Sequence, residues 1–330
     1  MHRDLDFVAI GDITTDAFIR LTDAHLHANL DHKAQEICME YASKIPYDSV
    51  TIVSAVGNCA NAAVAAARLG LHSALLTNQG DDEIGRDHLR VLKREKVSTE
   101  FVKSHWRHAS NYHYVLWYGS DRTILVKHEK YRYALPEIGD PRWIYVTSLG
   151  PDTVAFHDEI KTYLAEHKKV KLAFQPGTFQ MNLGLKKLGY FYERSAVFVC
   201  NLEEAQKILE TKEKDPGSLL IKMQKLGPEI VLITDGPKGA YVRHESTSLF
   251  MPPYPDPKPP FERTGAGDAF ASTFVSALAL GLTPAEAITW APINSMSVVQ
   301  KVGAQAGLLK REALEYFLDK APRTYRTMAL

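Results

Sequence analysis

The 330-residue sequence carries no excess charge of either sign: Lys plus Arg and Asp plus Glu each total 39. With no net field and no basic run, it lacks the electrostatic footprint of a protein that binds nucleic acid or an anionic membrane. A small molecule is the expected partner. Cysteine is scarce, and Cys38, Cys59 and Cys200 are widely spaced, none with a second Cys or a His close by as a metal-ligand partner. That spacing argues against a disulfide framework and against a zinc site. No apolar run is long enough to span a bilayer. The start, Met1-His2-Arg3-Asp4-Leu5-Asp6, is charged and leads straight into a strand-like run, unlike a secretory signal or a transit peptide. A cytoplasmic location is expected. Two nucleotide fingerprints are missing as well. There is no G-x-x-x-x-G-K-[ST], and Gly265-Ala266-Gly267-Asp268-Ala269-Phe270 fails G-x-G-x-x-G at its last glycine and has no strand immediately before it. A P-loop is thereby excluded and a dinucleotide fold disfavoured.

What is present is 45% apolar content, enough for one large α/β domain over residues 1–330. Strand-like runs are Phe7 to Ile10, Val50 to Ser54, Ser73 to Thr77, Trp143 to Thr147, Val170 to Phe174, Ala196 to Val199 and Ile230 to Thr234. Helix-like segments alternate with them, which predicts an α/β fold: a mostly parallel sheet with helices on both faces. Cys59 to Leu69 is Ala-rich and closed by Gly70, and Thr283-Pro284-Ala285-Glu286 carries a cap, a first-turn proline and a capping-box glutamate. One region breaks the alternation. Asn111 to Tyr118 and Thr123 to His128, joined by Gly119-Ser120-Asp121-Arg122, read as a β-hairpin. Parts of about 14–50 and 108–130 are expected to form a small β-sheet lid, the alternative being an edge hairpin without a role. Strand alternation sets Tyr112, Tyr114 and Tyr118 on one face, either to stack on a base or sugar or to meet a second subunit.

The richest stretch is Thr264-Gly265-Ala266-Gly267-Asp268, placed between the Pro-rich run Met251 to Pro260 and an apolar helix from Ala269 to Leu280 that Gly281 stops. Its glycines let backbone amides converge, and a helix start adds about half a positive charge. A phosphate suits such a site. Read alone, Asp268 serves equally as a helix cap or as a proton acceptor.

These residues resemble the C-terminal signature of the ribokinase-like (PfkB) carbohydrate kinases, Thr264 to Phe270, and other segments match that family in order. They are Gly11 to Asp16 after the first strand, Val56-Gly57-Asn58-Cys59-Ala60-Asn61, Gly80 to Gly85 as G-x-D-x-x-G, Asn201-Leu202-Glu203-Glu204 as N-x-x-E, Thr234 to Gly239 as a nucleotide loop, and Gly303-Ala304-Gln305. The resemblance implies the ribokinase-like fold and transfer of a phosphoryl group from ATP, with Mg²⁺, to a hydroxymethyl group of a sugar or nucleoside. Asp268 would be the base, and the amides of Ala266, Gly267 and Asp268, freed by Gly265, the anion hole. Asp16, Gly57, Asn58 and Asn61 would hold the acceptor. Asn201, Thr234, Gly236, Gly239 and Gly267 would face the nucleotide, with Asn201 and Glu204 organising Mg²⁺ largely through water. Taken without the family, Asn201 and Glu204 form a helix capping box, and Asp16 is an ordinary turn residue.

Three departures qualify the match. Glu262-Arg263 stands where the motif usually has Asp-Thr, so at the expected K⁺ site of Glu262, Thr264 and Gly303 either Glu262 ligates the ion or Arg263 replaces it by pairing with Glu262. Pro292 stands where many relatives carry an asparagine beside the base. Ser148-Leu149-Gly150-Pro151 lacks the acidic residue that ribokinases use on ribose. A homodimer through the lid is expected, and a non-catalytic sugar-binding regulator is the alternative of another class.

Overall fold

The computed structural model describes residues 4–28, 35–119 and 121–330. The start of the charged N-terminus (1–3), part of the expected lid segment (29–34) and residue 120 of the hairpin turn lie outside them. In chain order the strands are β1 (Phe7–Ile10), β2 (Thr14–Leu21), β3 (His25–Ala28), β4 (Gln35–Cys38), β5 (Tyr47–Val56), β6 (Ser73–Gly80), β7 (Val102–His105) and β8 (Tyr112–Tyr118). They continue as β9 (Asp121–Leu125), β10 (Trp143–Val146), β11 (Lys171–Phe174), β12 (Ser195–Asn201), β13 (Ile230–Thr234), β14 (Ala240–His244), β15 (Thr247–Met251) and β16 (Met328–Ala329).

Ten of these strands form one sheet in the order β16-β15-β14-β13-β12-β11-β10-β1-β6-β7. From β13 to β7 the neighbours are parallel, and β14, β15 and β16 extend that sheet antiparallel. β1 shows why these strands are apolar throughout. Successive side chains point to opposite faces, so Phe7 and Ala9 enter one core and Val8 and Ile10 the other. The first core includes residues of the helices Asn58–Arg68, Ala266–Ala279 and Pro284–Val298; the second includes residues of Val154–Glu166, Leu185–Arg194 and Pro216–Gln224. Covered on both faces, the strands have no reason to alternate polar with apolar.

The sequence reading needs one correction here. Val50 to Ser54 belongs to β5, which lies in a second sheet of order β5-β2-β8-β9 and not in the parallel one. β5 is exposed over most of its length, so its apolar run lies at a sheet edge and not in the core. β2 frames this small sheet, antiparallel to β5 and parallel to β8, while β8 and β9 form the expected hairpin.

Register decides which side chains this sheet turns inward. Asp16 pairs with His113, Ala17 with Tyr114, and Trp117 with Arg122. Asp16, His113, Arg122 and Ile124 face the main sheet across a cavity. Tyr112, Tyr114 and Tyr118 therefore sit on the opposite face, where Tyr112 and Tyr114 pack with ring centroids 5.3 Å apart. The expectation that these tyrosines stack on an acceptor is thus not met: period-2 alternation carries His113 inward instead.

The G-x-D-x-x-G turn fastens the small sheet at its base. Asp82 caps the Glu83–Arg94 helix by accepting from the Gly85 amide at 2.8 Å, and it also accepts from the Ser110 amide and hydroxyl at 2.8 and 2.7 Å. Asn111 then donates to the Ile13 carbonyl at 3.0 Å. His88 bonds the Thr15 hydroxyl at 2.9 Å, and burial holds its pKa down to about 4, so it stays neutral.

Candidate active site

A cavity of about 620 Å³ opens at the carboxyl ends of the parallel strands, where open α/β sheets place ligands. Asp12 follows β1, Ser148 follows β10, Gln175 follows β11, Asn201 ends β12 and Thr234 ends β13, and all five line it. A narrower cavity of about 190 Å³ lies beside it, walled by Pro237, Gly239, Tyr254, Pro292 and Met296 and reached also by Gly236. Thr234, Arg263 and Gly267 line both, so they mark the junction between the two.

Asp268 follows Gly267 in the first turn of the Ala266–Ala279 helix and lines the large cavity. Its Oδ1 accepts from the Asn58 side chain at 2.9 Å and its Oδ2 from Asn61 at 2.8 Å. Burial nevertheless pushes its pKa up to about 6, reinforced by the Glu204 and Asp16 charges and opposed by the Asn61 hydrogen bond and the Arg122 charge. Asn58 and Asn61, expected on the acceptor, line the same cavity but spend their amides on the carboxylate of Asp268. Each gives one side-chain N–H to that group and still lines the cavity.

The turn before the helix demands glycine. Gly265 has φ +82°, and a Cβ there would lie 2.2 Å from the Ala304 Cβ. Ala304 belongs to the Gly303-Ala304-Gln305 turn, so that turn packs directly on Gly265. The amides of Gly267 and Asp268 fall in the first helical turn and have no intrahelical acceptor. The Ala266 amide turns back to the Arg263 carbonyl at 3.4 Å, which leaves it less free than the other two. Gly57 is also required as glycine: φ is +103° and a Cβ would meet the Asp12 carbonyl at 2.6 Å.

Asn201 and Glu204 form the reciprocal capping box, each backbone amide donating to the other's side chain at 2.8 Å. Both also line the cavity, and burial raises the Glu204 pKa. Capping and cavity-facing roles coexist. Glu262 is fully buried, accepts from the Thr264 amide at 2.7 Å and hydroxyl at 2.5 Å, and lies 3.4 Å from the Gly303 amide. Arg263 does not pair with it: among the described residues Glu262 has no basic side chain within salt-bridge distance, and Arg263 turns to the junction of the cavities. The reading in which Arg263 replaces a cation by pairing with Glu262 is therefore set aside.

Several site residues were not read from the sequence. Asp12 accepts from the Tyr133 hydroxyl and the Gly150 amide, each at 2.7 Å. His113, Arg122, His128, Gln175 and Phe179 also line the large cavity. The strand-end rule alone points to Asp12 and Gln175; His113 and Arg122 emerge only once the register of the small sheet is known.

The fold is that of ribokinase-like proteins. The structure aligns with Arabidopsis thaliana ribokinase complexed with ribose and ATP at TM-score 0.78 and 17% identity, over 96% of this chain and 99% of that one. Burkholderia thailandensis nucleoside kinase in complex with inosine aligns at TM-score 0.76 and 17% identity, over 97% and 99%. In sequence, Bacillus subtilis ribokinase is 27% identical, covering 80% of this chain and 87% of its own length. Mouse ribokinase is 25% identical, covering 68% and 71%. The chain belongs to the pfkB family of carbohydrate kinases, whose model matches residues 35–311. It is accordingly an ATP-dependent carbohydrate kinase, a phosphotransferase with an alcohol group as acceptor.

Proposed function

We propose that this chain moves the γ-phosphoryl group of ATP to a hydroxymethyl group of a small sugar, with Asp268 as the proton acceptor. The observation that carries this reading is Asp268 itself: a carboxylate held by two asparagines at a helix start, lining the large cavity next to the Gly267 that lines both, with a pKa raised to about 6. A base matched to neutral pH is what removal of a hydroxyl proton needs. The acceptor occupies the large cavity beneath the small sheet, which acts as its lid, and the nucleotide base the narrow slot beside Pro292. The polyphosphate then runs through the junction past Arg263, toward the free amides of Gly267 and Asp268 that form the anion hole. Asn201, Thr234, Gly236, Gly239 and Gly267 face this nucleotide path.

The residues fit Mg²⁺ held largely through water, since Glu204 and Asn201 offer one carboxylate and one amide at the cavity wall. When bound, the ion neutralises charge on the phosphates. We also propose K⁺ at Glu262, Thr264 and Gly303: Glu262 is a fully buried carboxylate held only by neutral donors, with no basic side chain beside it among the described residues. Core and lid form one kinase unit, and a nucleoside acceptor is the second reading, favoured by the cavity size and by the nucleoside kinases among proteins of the same fold. A regulator that binds sugar without turnover is disfavoured by the intact Asp268 arrangement.

We further propose a homodimer through the outer lid face. Ile52, Ala17, Tyr114 and Leu125 lie in one row across the sheet, and Ile52 and Leu125 are 63% and 51% exposed. No helix among the described residues is long and apolar enough to cross a membrane, and we place the protein in the cytoplasm with neither nucleic acid nor membrane as partner. ADP production from ATP-Mg²⁺ with pentoses, hexoses, sugar phosphates and nucleosides, with and without K⁺, tests the reading. Turnover with a sugar or nucleoside supports it; tight acceptor binding without ADP release would favour the regulator.

A further inference from the structure

The acceptor end of the large cavity holds an unusual concentration of unsatisfied polar atoms. Among the described residues, six buried side-chain atoms lack a hydrogen-bond partner, and Asp16 Oδ1, His113 Nε2 and His128 Nδ1 are three of them. All three residues line this one cavity. Asp16 is only 8% exposed, and the side chains of His113 and His128 are 14% and 15% exposed. Each imidazole lies against a carboxylate without hydrogen-bond geometry: His113 Nδ1 is 3.4 Å from Asp16 Oδ1, and His128 Nδ1 is 3.5 Å from Asp12 Oδ2. The two rings stand edge to face with centroids 5.9 Å apart. An unmet buried polar group destabilises the fold, so a cluster of them in a cavity marks where a polar ligand completes the set.

The chemistry of the set defines the ligand. A carboxylate oxygen only accepts, whereas a neutral imidazole donates at one nitrogen and accepts at the other. Atoms of both kinds, close together, match hydroxyls on neighbouring carbons, each of which donates and accepts at once. Ile13, Ile124 and Phe179 add apolar wall for the face of a ring. Asp12 also places a carboxylate where the loop after β10 lacks one. Its Oδ2 accepts from the Gly150 amide of that loop, so the acidic group arrives from the end of β1 instead.

Resting on the proposed kinase reading, in which Asp16 already faces the acceptor, we propose that His113 and His128 are further specificity determinants of that site and, beside the Asp12 and Asp16 carboxylates, select a ring bearing adjacent hydroxyls. His113 comes from β8, His128 from the segment after β9, and Asp16 from β2, so the same contacts join the lid to the bound ring.

The test is calorimetric binding of ribose, fructose, adenosine and inosine, each beside its deoxy counterpart lacking one of the adjacent hydroxyls, to the wild type, His113→Asn and His128→Asn. The wild type should prefer at least one intact ring by about tenfold or more, and each variant should cut that preference to about twofold. In steady state the acceptor KM should rise with kcat little changed, and ADP binding, measured on the same samples, should be unaltered, which shows that the variants are folded. Variants that keep both affinity and preference would overturn the assignment, as would a wild type that binds none of the rings or shows no preference. ADP release with an acceptor lacking adjacent hydroxyls would overturn this inference alone and leave the kinase reading standing; acceptor binding without any ADP release would remove the kinase reading alone.

Discussion

Asn61 donates to Asp268 Oδ2 at 2.8 Å while its own side-chain Oδ1 accepts from Gln305 Nε2 at 3.1 Å. Because Gln305 Nε2 also donates to the Ala55 carbonyl at 2.7 Å, the Gln305 amide orientation is set, and with it that of Asn61. The closing turn of the chain thus reaches the proposed base through one intermediate side chain. Asn61→Ala removes a hydrogen bond that favours the charged form of Asp268, so the Asp268 pKa should rise above about 6. The acid limb of kcat/KM against pH should move to higher pH in this variant, and an unmoved limb would separate Asn61 from the base.

In the wild type the same limb should fall as pH drops through about 6, since a protonated Asp268 cannot accept a proton. Stability carries the opposite mark. Asp268 titrates near the ordinary aspartate value of 3.8 in the unfolded chain and at about 6 in the folded one, so stability is lost as pH rises from about 4 to 6. Asp268→Asn lacks that loss. Denaturant unfolding at pH 7 should find it at least as stable as wild type, by at most about 3 kcal/mol, with the difference shrinking toward pH 4.

Gly265→Ala meets two obstacles, a φ of +82° and a Cβ 2.2 Å from the Ala304 Cβ. Strain of about 1–3 kcal/mol from the conformation alone, with displacement of the Gly303-Ala304-Gln305 turn, should lower Tm and weaken nucleotide binding together. Gly281→Ala is the control: its φ is also positive, at +96°, but a Cβ there has open space, so only stability should suffer.

The Arg263 side chain makes no hydrogen bond or ion pair with protein among the described residues, and Arg263 lines both cavities. If it holds the polyphosphate, Arg263→Ala should weaken ADP binding by about tenfold or more and leave adenosine binding in the narrow slot unchanged. Equal losses for both ligands would instead indicate a distorted slot.

Tyr114→Glu and Leu125→Lys place charge on the outer lid row without touching the cavity face. Sedimentation should show the dimer shifted to monomer in either variant. A wild type that is monomeric at all accessible concentrations would contradict the proposed interface.

The parallel core was legible because buried strands such as β1 are apolar from end to end and are separated by capped helices. The chemical turn was legible because Gly265, Gly267 and Asp268 combine backbone freedom, a helix start and a carboxylate in a few residues. β5 was misplaced because Val50 to Ser54 has a core-like composition while lying at an exposed sheet edge. The inward turn of His113 depends on the pairing of Asp16 with His113, a long-range fact that local sequence does not encode, and a register slip of one residue would have put the tyrosines inside. Asn61 was found as a site residue, yet its bond to Asp268 joins positions far apart in the chain and needed the fold.

The most direct measurement is ADP release from ATP-Mg²⁺ by wild type and Asp268→Asn, side by side, with the acceptor that gives the wild type its highest turnover. Loss of general-base catalysis predicts a rate about 10²- to 10⁴-fold lower in the variant, with ADP and acceptor affinities preserved. A variant that turns over at the wild-type rate would contradict the role assigned to Asp268 and, with it, the account of this site.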